Sequence, residues 1–254
     1  MQLRVLGCSG GIGAGLGTTA LLVDDDVLID AGTGVGALDG EALGRIDHVF
    51  LTHSHIDHIA FVPLLIDAVA RTRDRPVMLY GLAPTLAALR EHIFNGTVAP
   101  DFSRLPSPAR PSIRYRPIVV GETVTLSTRG ITALPASHSV PAVGYQLDSG
   151  RASLVFTGDS MGSDAFWEQV NRIANLRYVI IETAFPEAEQ ELARDAAHLN
   201  PSRLAHELNQ LTRPAEIYVT HLKPDSGAIT TRELTEGPWG ARLHILQHDF
   251  AFEF

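Results

Sequence analysis

One stretch, residues 46–63 (IDHVFLTHSHIDHIAFVP), constrains the fold and chemistry of this chain more than any other. Its first half ends in the apolar run VFL, which is typical of a short buried strand. Its second half continues over residues 56–70 with apolar side chains at helical spacing, which predicts a helix with one buried face. Between the two lie four polar residues, His53, His55, Asp57 and His58.

These three histidines and one carboxylate, all within six residues, predict a metal site. Burying such groups without partners is costly in desolvation free energy. Imidazole nitrogen and carboxylate oxygen are, however, the ligands that suit zinc and similar divalent ions. In an extended loop His53 and His55 point the same way, whereas Asp57 and His58, past the turn, face a second position. The pattern therefore indicates two half-sites.

The run T-H-S-H-I-D-H resembles the H-x-H-x-D-H signature of the metallo-β-lactamase superfamily. The resemblance covers essentially the whole chain. It implies an α/β fold, an αββα sandwich of two mixed sheets with helices on the outer faces, and a single hydrolase domain over residues 1–254. It also implies that a His, an Asp and a His follow downstream, each at the end of a strand. His138, Asp159 and His221 match in order and setting.

Carried over residue by residue, the resemblance implies two divalent metal ions. The first would be held by His53, His55 and His138, the second by Asp57, His58 and His221, and Asp159 would bridge them. Zinc is the expected metal, with Mn²⁺ or Fe²⁺ as alternatives. Two such ions share and ionise a water near neutral pH, so a bridging hydroxide would be the nucleophile and Asp57 would be catalytic as well as ligating.

No serine or cysteine nucleophile is then required. Ser137 precedes His138, but no third group in the sequence supports a catalytic triad. The histidines outside any motif are expected at the surface or in packing, and they are His48, His92, His206, His244 and His248.

Composition limits the classes of partner. The 254 residues carry a formal net charge of −9, which argues against a groove for long nucleic acid. A small anionic substrate remains compatible, because bound cations invert the field locally. The only cysteine is Cys8, so no disulfide forms within the chain and a cytoplasmic location is expected. No run of 18 apolar residues exists, so no membrane partner is expected, and a homodimer is left open.

Flanking segments are similar to class II cyclic-nucleotide phosphodiesterases. They are the glycine-rich CSGGIGAGLG after the first strand, ETAFP, AHLNP before a helix, and THLKP at the last ligand. The opening also resembles ribonuclease Z, but a basic tRNA-clamping arm is missing. The resemblance implies that His198 contacts the phosphate or leaving group, against the alternative of a capping or surface residue. The expected function is hydrolysis of 3′,5′-cyclic nucleotides. Other hydrolases of the superfamily and a non-hydrolytic mononuclear member remain alternatives.

Three features stay open at this stage. Asp30 either supports the site from behind or belongs to a turn, and Lys223 either meets a phosphate or is solvated. Residues 95–117, rich in proline and without a clear period, either shape the pocket or form a surface excursion. In the first case Phe94, Phe102 and Tyr115 would be available for stacking.

Elsewhere the pattern predicts strands at 3–7, 20–23, 27–30, 76–80, 124–126, 131–134, 143–147, 152–156, 178–181, 216–220 and 243–246, and helices at 84–94, 163–174 and from about 201.

Overall fold

The computed structural model describes residues 1–254 and contains sixteen strands and eight α-helices. The strands are β1 (Gln2–Gly7), β2 (Ala20–Val23), β3 (Val27–Ile29), β4 (His48–Phe50), β5 (Val77–Gly81), β6 (Pro106–Ser107), β7 (Arg110–Pro111), β8 (Ile113–Pro117), β9 (Thr123–Leu126), β10 (Arg129–Pro135), β11 (Val143–Asp148), β12 (Ser153–Phe156), β13 (Leu176–Glu182), β14 (Glu216–Thr220), β15 (Leu243–Ile245) and β16 (Ala251–Glu253). The helices are α1 (Gly40–Arg45), α2 (Ile56–Ile59), α3 (Val62–Val69), α4 (Ala83–Ala88), α5 (Asp164–Val170), α6 (Gln190–Asp195), α7 (Pro201–Leu208) and α8 (Gly227–Glu236).

Two seven-stranded mixed sheets form the centre of the molecule. The first has the order β16-β1-β2-β3-β4-β5-β8, and the second has the order β15-β14-β13-β12-β11-β10-β9. In the first sheet β3, β4, β5 and β8 are parallel, and in the second β12 to β15 are parallel. A short hairpin of β6 and β7 lies outside both sheets. No helix is long and apolar enough to span a bilayer.

Alternation along the strands accounts for the layers. In β13, Tyr178 and Ile180 face the core between the sheets, whereas Val179 and Ile181 face a second core beneath α5, α7 and α8. In β4, Phe50 likewise points between the sheets and Val49 points to a third core beneath α3 and α4. Because side chains of a strand alternate between faces, each sheet is apolar on both sides and needs cover on both. The predicted αββα sandwich is confirmed.

The predicted helix over residues 56–70 is two helices. Phe61 donates its backbone N–H to Ala31 O at 2.9 Å and not to a carbonyl of its own helix. Pro63 cannot donate and its ring disfavours helical geometry in the preceding turn, so α2 ends at Ile59 and α3 begins at Val62. The interruption leaves α2 as a single short turn that carries Asp57 and His58 into the site.

Residues 95–117 differ from the expectation of a pocket-shaping insertion with aromatic side chains for stacking. Phe94 and Phe102 are buried at 2% and 6% exposure in the core beneath α3 and α4, with ring centroids 6.1 Å apart. The end of the segment forms β8, the edge strand of the first sheet. Tyr115 on β8 packs against the same core and stacks under Arg90. The prolines hid this strand because proline is tolerated at sheet edges.

Candidate metal centre

The seven expected ligands converge at one end of the two sheets. The turns that follow four strands carry them, since His53 to His58 follow β4, His138 follows β10, Asp159 follows β12 and His221 follows β14. Ligand sites gather at such edges because parallel strands end there together. Two groups of possible metal-holding residues result: His53, His55, His138 and Asp159, and then Asp57, His58, His221 and Asp159.

The spacing of the donor atoms fits two metal ions. In each group the candidate donor atoms lie within 4.8 Å of one another. Asp159 Oδ2 lies 3.7 Å from His53 Nε2, 3.3 Å from His58 Nε2, 4.0 Å from His138 Nε2 and 3.4 Å from His221 Nε2. Tetrahedral zinc with bonds of about 2.1 Å separates its donors by about 3.4 Å. One carboxylate therefore belongs to both groups, in keeping with the bridging role expected of Asp159.

Unpartnered nitrogens in the interior provide an independent test of fit. His53 Nε2, His58 Nε2 and His221 Nε2 are buried and have no hydrogen-bond partner in the protein. Buried polar atoms are normally satisfied, because an unsatisfied one costs about 1–3 kcal/mol. Three such atoms facing one carboxylate oxygen are explained if they ligate cations. The residues present thus fit a dinuclear His/Asp metal site.

Asp30 supports the site from behind and is not merely a turn residue. Its fully buried carboxylate lies 2.7 Å from His58 Nδ1, and it accepts hydrogen bonds from Thr52 N and Thr52 Oγ1, both at 2.8 Å. Because Thr52 Oγ1 donates to Asp30, His53 Nδ1 at 3.0 Å must donate to Thr52. His138 Nδ1 donates to Ala197 O at 3.0 Å. In all three histidines the Nδ1–H is therefore engaged and the Nε2 lone pair is turned toward the site.

Electrostatics favour the ligand forms of these groups. Burial lowers the pKa of His53 well below its usual range and lowers that of His221 to about 3, so both imidazoles are neutral. Burial alone would raise the pKa of Asp159, but His221 and His58 lower it well below its ordinary value. His58 is the exception. Burial opposes its charge, yet Asp159 and Asp30 hold its pKa well above the usual value. Two buried carboxylates thus favour a positive charge beside His58, which a metal ion would supply.

The glycine-rich segment after β1 packs directly on the last ligand. A Cβ at Gly10 would lie 2.4 Å from His221 O, so no other residue fits there without a shift of backbone. His221 has a φ of +66°, a conformation that costs a residue with a side chain on the order of 1–3 kcal/mol. Its N–H donates to Cys8 O at 2.8 Å, and Lys223 Nζ donates to Gly10 O at 2.7 Å. Lys223 thus braces this loop with one of its three N–H donors, and the phosphate contact considered from the sequence stays a prediction.

His198 lies beside the metal donors and is held by a carboxylate that the sequence did not single out. Its ring centroid is 5.0 Å from that of His138 and 5.3 Å from that of His221, with which it is stacked. His198 Nδ1 lies 2.9 Å from Oε1 of the fully buried Glu182. Burial would lower the pKa of His198, but the charge and hydrogen bond of Glu182 raise it above its ordinary value. Nε2 makes no hydrogen bond within the protein, so a proton there is available to a ligand.

The remaining histidines stay outside the centre, as expected. His48 bonds Tyr80, His244 stacks on Tyr218, and neither belongs to a metal-holding group. Ser137 is not paired with a histidine. Its backbone N–H donates to Ser160 Oγ at 3.0 Å, its carbonyl accepts a hydrogen bond from Met161 N at 2.9 Å, and His138 Nδ1 donates to Ala197 O.

A family model for the beta-lactamase superfamily domain matches residues 26–222, which include all seven candidate ligands. The chain belongs to the metallo-β-lactamase superfamily. Its two groups of His and Asp side chains are placed to hold metal ions within that fold.

Relatives of this superfamily member carry two kinds of name. A probable 3′,5′-cyclic-nucleotide phosphodiesterase of Yersinia pestis is 27% identical over 207 residues, covering 70% of this chain and 57% of the relative. A ribonuclease Z of Methanothermobacter thermautotrophicus is 32% identical over 123 residues, covering 46% of this chain and 37% of the relative. The chain thus spans less than two thirds of either. The unliganded crystal structure of yeast PDE1 aligns with a TM-score of 0.80 at 15% identity, covering 98% of both chains.

Two residues of this metallo-β-lactamase site were missed from the sequence, Thr52 and Glu182. Thr52 stands next to the histidine motif, and its hydroxyl links Asp30 to His53. Glu182 ends the apolar run of β13 and opens the ETAFP segment, a resemblance that assigned no role to its carboxylate. Both act through partners far along the chain, which local patterns do not reveal.

Proposed function

We propose that this protein is a dinuclear-metal phosphodiesterase that hydrolyses 3′,5′-cyclic nucleotides to 5′-nucleotides. The observation that carries the proposal is the Glu182–His198 pair, which stands against two of the metal-holding histidines with His198 Nε2 free. A phosphate diester with an alkoxide leaving group is cleaved faster when a proton donor lies where that oxygen departs. The relative from Yersinia pestis, matched over 70% of this chain, supports the same substrate class.

Two divalent ions at the His/Asp groups would polarise a phosphoryl oxygen and lower the pKa of a shared water toward neutrality. The protein's own contribution is to orient and to move protons. The Asp57 carboxylate, with its side chain 24% exposed, is the most accessible of the four acidic or imidazole groups in its set and can accept a hydrogen bond from the attacking water. The attacking water gives up one proton, which the Asp57 carboxylate accepts and passes to solvent, as its oxygen bonds to phosphorus. The P–O3′ bond breaks, and the departing 3′-oxygen takes a proton from His198 Nε2, which solvent then replaces. Glu182 holds the other ring nitrogen and stabilises the charged imidazole.

A substrate panel with and without chelator tests the proposal. It contains cyclic mononucleotides, cyclic dinucleotides, bis-p-nitrophenyl phosphate, a lactone, a β-lactam and a precursor tRNA. We expect chelator-sensitive conversion of a 3′,5′-cyclic mononucleotide to the 5′-nucleotide as the fastest reaction. A matched control is His92→Ala, because this histidine has a side chain 74% exposed and no place in the site. Faster turnover of the lactone or β-lactam than of any phosphodiester would refute the proposal.

Ribonuclease Z activity is the second candidate, favoured by the 32% identity over 123 residues to the archaeal ribonuclease Z. The net charge of −9 weighs against it, because long nucleic acids bind mainly through cationic surfaces. Cleavage of the precursor tRNA with no turnover of cyclic nucleotides would establish this candidate instead.

A further inference from the structure

One aromatic side chain of this protein combines partial exposure with a contact to His198. Most aromatic rings of the chain are buried in the three cores. Four other partly exposed rings have different neighbours: Phe61 lies against Gly36, Tyr115 under Arg90, Trp239 against Arg242 and Phe250 against Tyr218. Only Phe185 is both partly exposed and in contact with His198. Its ring centroid is 5.7 Å from that of His198, at an interplanar angle of 66°.

Phe185 is held in place by the elements that build the site. It lies three residues after Glu182, in the turn that follows β13. Its backbone N–H and that of Ala184 donate to Leu199 O, at 3.4 Å and 3.1 Å, so the turn is tied to the segment that carries His198. Lys223 Nζ lies 5.8 Å from the ring centroid and is itself anchored to Gly10 O. The ring therefore has a fixed position and a cation beside it.

Resting on the proposed function, we infer that Phe185 is the stacking surface for the base of the nucleotide and so determines specificity for nucleoside phosphates. His198 lies between the candidate metal ligands and Phe185. Its ring contacts His138 and His221 on one side and Phe185 on the other. We place the phosphoryl group of a nucleoside phosphate at the metal donors and its leaving oxygen at His198. The base is then separated from His198 by the width of the sugar ring, which is where Phe185 lies. An aromatic face is what a base of any identity can stack upon.

The test measures affinity and not turnover, so it is independent of whether cyclic nucleotides are the substrates. Calorimetry on the zinc-loaded protein gives dissociation constants for adenosine 5′-monophosphate and for ribose 5-phosphate, which has the same phosphate and sugar but no base. Phe185→Leu keeps an apolar side chain and removes the aromatic face. Stacking of one base is worth roughly 5- to 150-fold in affinity. We expect Phe185→Leu to raise the dissociation constant of adenosine 5′-monophosphate by about tenfold or more, equivalent to about 1.4 kcal/mol. The dissociation constant of ribose 5-phosphate should change by less than about twofold.

Two further variants separate stacking from structure. Phe185→Tyr retains a ring and should bind adenosine 5′-monophosphate within about threefold of the unmodified protein. Phe250→Leu, which removes a ring that is 38% exposed and packed on Tyr218, should change neither ligand. Equal weakening of both ligands in Phe185→Leu would overturn the inference, because the ring would then act on the phosphate or on His198. So would equal binding of the two ligands to the unmodified protein. Base-dependent binding that is lost in Phe185→Leu, in a protein that hydrolyses no cyclic nucleotide, would support the inference and refute the proposed function.

Discussion

Glu182→Gln is the substitution that tests the proposed chemistry most directly. The Glu182 carboxylate is fully buried, lies 2.9 Å from His198 Nδ1 and accepts hydrogen bonds from Ser160 N at 3.1 Å and Leu199 N at 3.3 Å. Glutamine has nearly the same shape but no charge, and its amide N–H₂ would face donors. The variant therefore removes the negative charge that stabilises a protonated His198 while leaving every proposed metal ligand in place.

The expected size follows from those contacts. A hydrogen bond to a charged group contributes about 1.5–3 kcal/mol. If that contribution is lost from the state in which His198 holds its proton, kcat falls roughly 10- to 200-fold at 1.36 kcal/mol per tenfold. The loss should appear on a 3′,5′-cyclic nucleotide, whose alkoxide leaving group needs a proton. On bis-p-nitrophenyl phosphate it should be less than about threefold, because p-nitrophenolate departs without protonation.

The assay is steady-state kinetics on both substrates, with metal content and the melting temperature measured on the same preparations. Glu187→Gln is the matched control. Glu187 also accepts hydrogen bonds, from the backbone N–H and the hydroxyl of Ser202 and from Asn200 Nδ2, but it contacts no histidine. Glu187→Gln should lower the melting temperature, and any change in kcat should be the same on both substrates. Equal losses on both substrates for Glu182→Gln would refute a role in leaving-group protonation, and unchanged kcat on both would remove Glu182 from the mechanism.

Three further predictions address the metal centre and its neighbours. The purified protein should contain close to two divalent ions per chain by elemental analysis and lose activity with chelator, and one ion or fewer in metal-replete buffer would contradict the dinuclear assignment. Asp57→Ala should lower kcat by at least roughly two to three orders of magnitude, or about 2.7–4 kcal/mol of barrier, with the fold retained; near-normal turnover would show that the attack does not depend on this carboxylate. His198→Ala should reduce kcat far more on a cyclic nucleotide than on bis-p-nitrophenyl phosphate with metal content unchanged, whereas His92→Ala should affect neither.

The candidate ligands were accessible from the sequence because four of the seven lie within six residues. His138, Asp159 and His221 required a second rule, that ligands collect where strands end at one sheet edge. The strands themselves were predictable because buried β-strands leave apolar runs, and β14 was predicted at 216–220, where the structure has Glu216–Thr220. Local chemistry and a general rule of topology together were sufficient to predict this part of the site.

Orientation of the ligands was not accessible, because it depends on partners distant in sequence. Asp30 is 28 residues from His58, and its preceding strand and following glycine suit a turn equally well. Glu182 is 16 residues from His198 and 22 from Ser160. Asp30 and His58 follow the paired strands β3 and β4, and Ser160 follows β12, which pairs with the strand that ends at Glu182, so these contacts form only when the sheets have assembled. A sequence pattern that extends over one strand and one turn carries no information on contacts between residues so far apart in the chain.

Aromatic residues illustrate the opposite error. Phe94 and Phe102 were candidates for stacking because they flank a proline-rich stretch that had no recognisable period. In the structure they fill the core, and the ring beside His198 is Phe185, from the turn after β13. Burial of a large aromatic side chain is favourable wherever the fold provides space, so a loop-like sequence is weak grounds for exposure.

The charge of the protein adds a constraint on how a phosphate is held. With a net charge of −9, long-range attraction for an anion is unfavourable, so the positive field must be local. The single lysine, Lys223, is engaged by Gly10 O and lies beside the ring of Phe185. Close to the candidate donors, His198 offers a proton to a phosphate, whereas the two buried carboxylates near His58 add negative charge. Metal ions would have to supply most of the attraction. Chelation should for this reason abolish the binding of adenosine 5′-monophosphate as well as turnover, since without cations the site presents more negative than positive charge to its ligand.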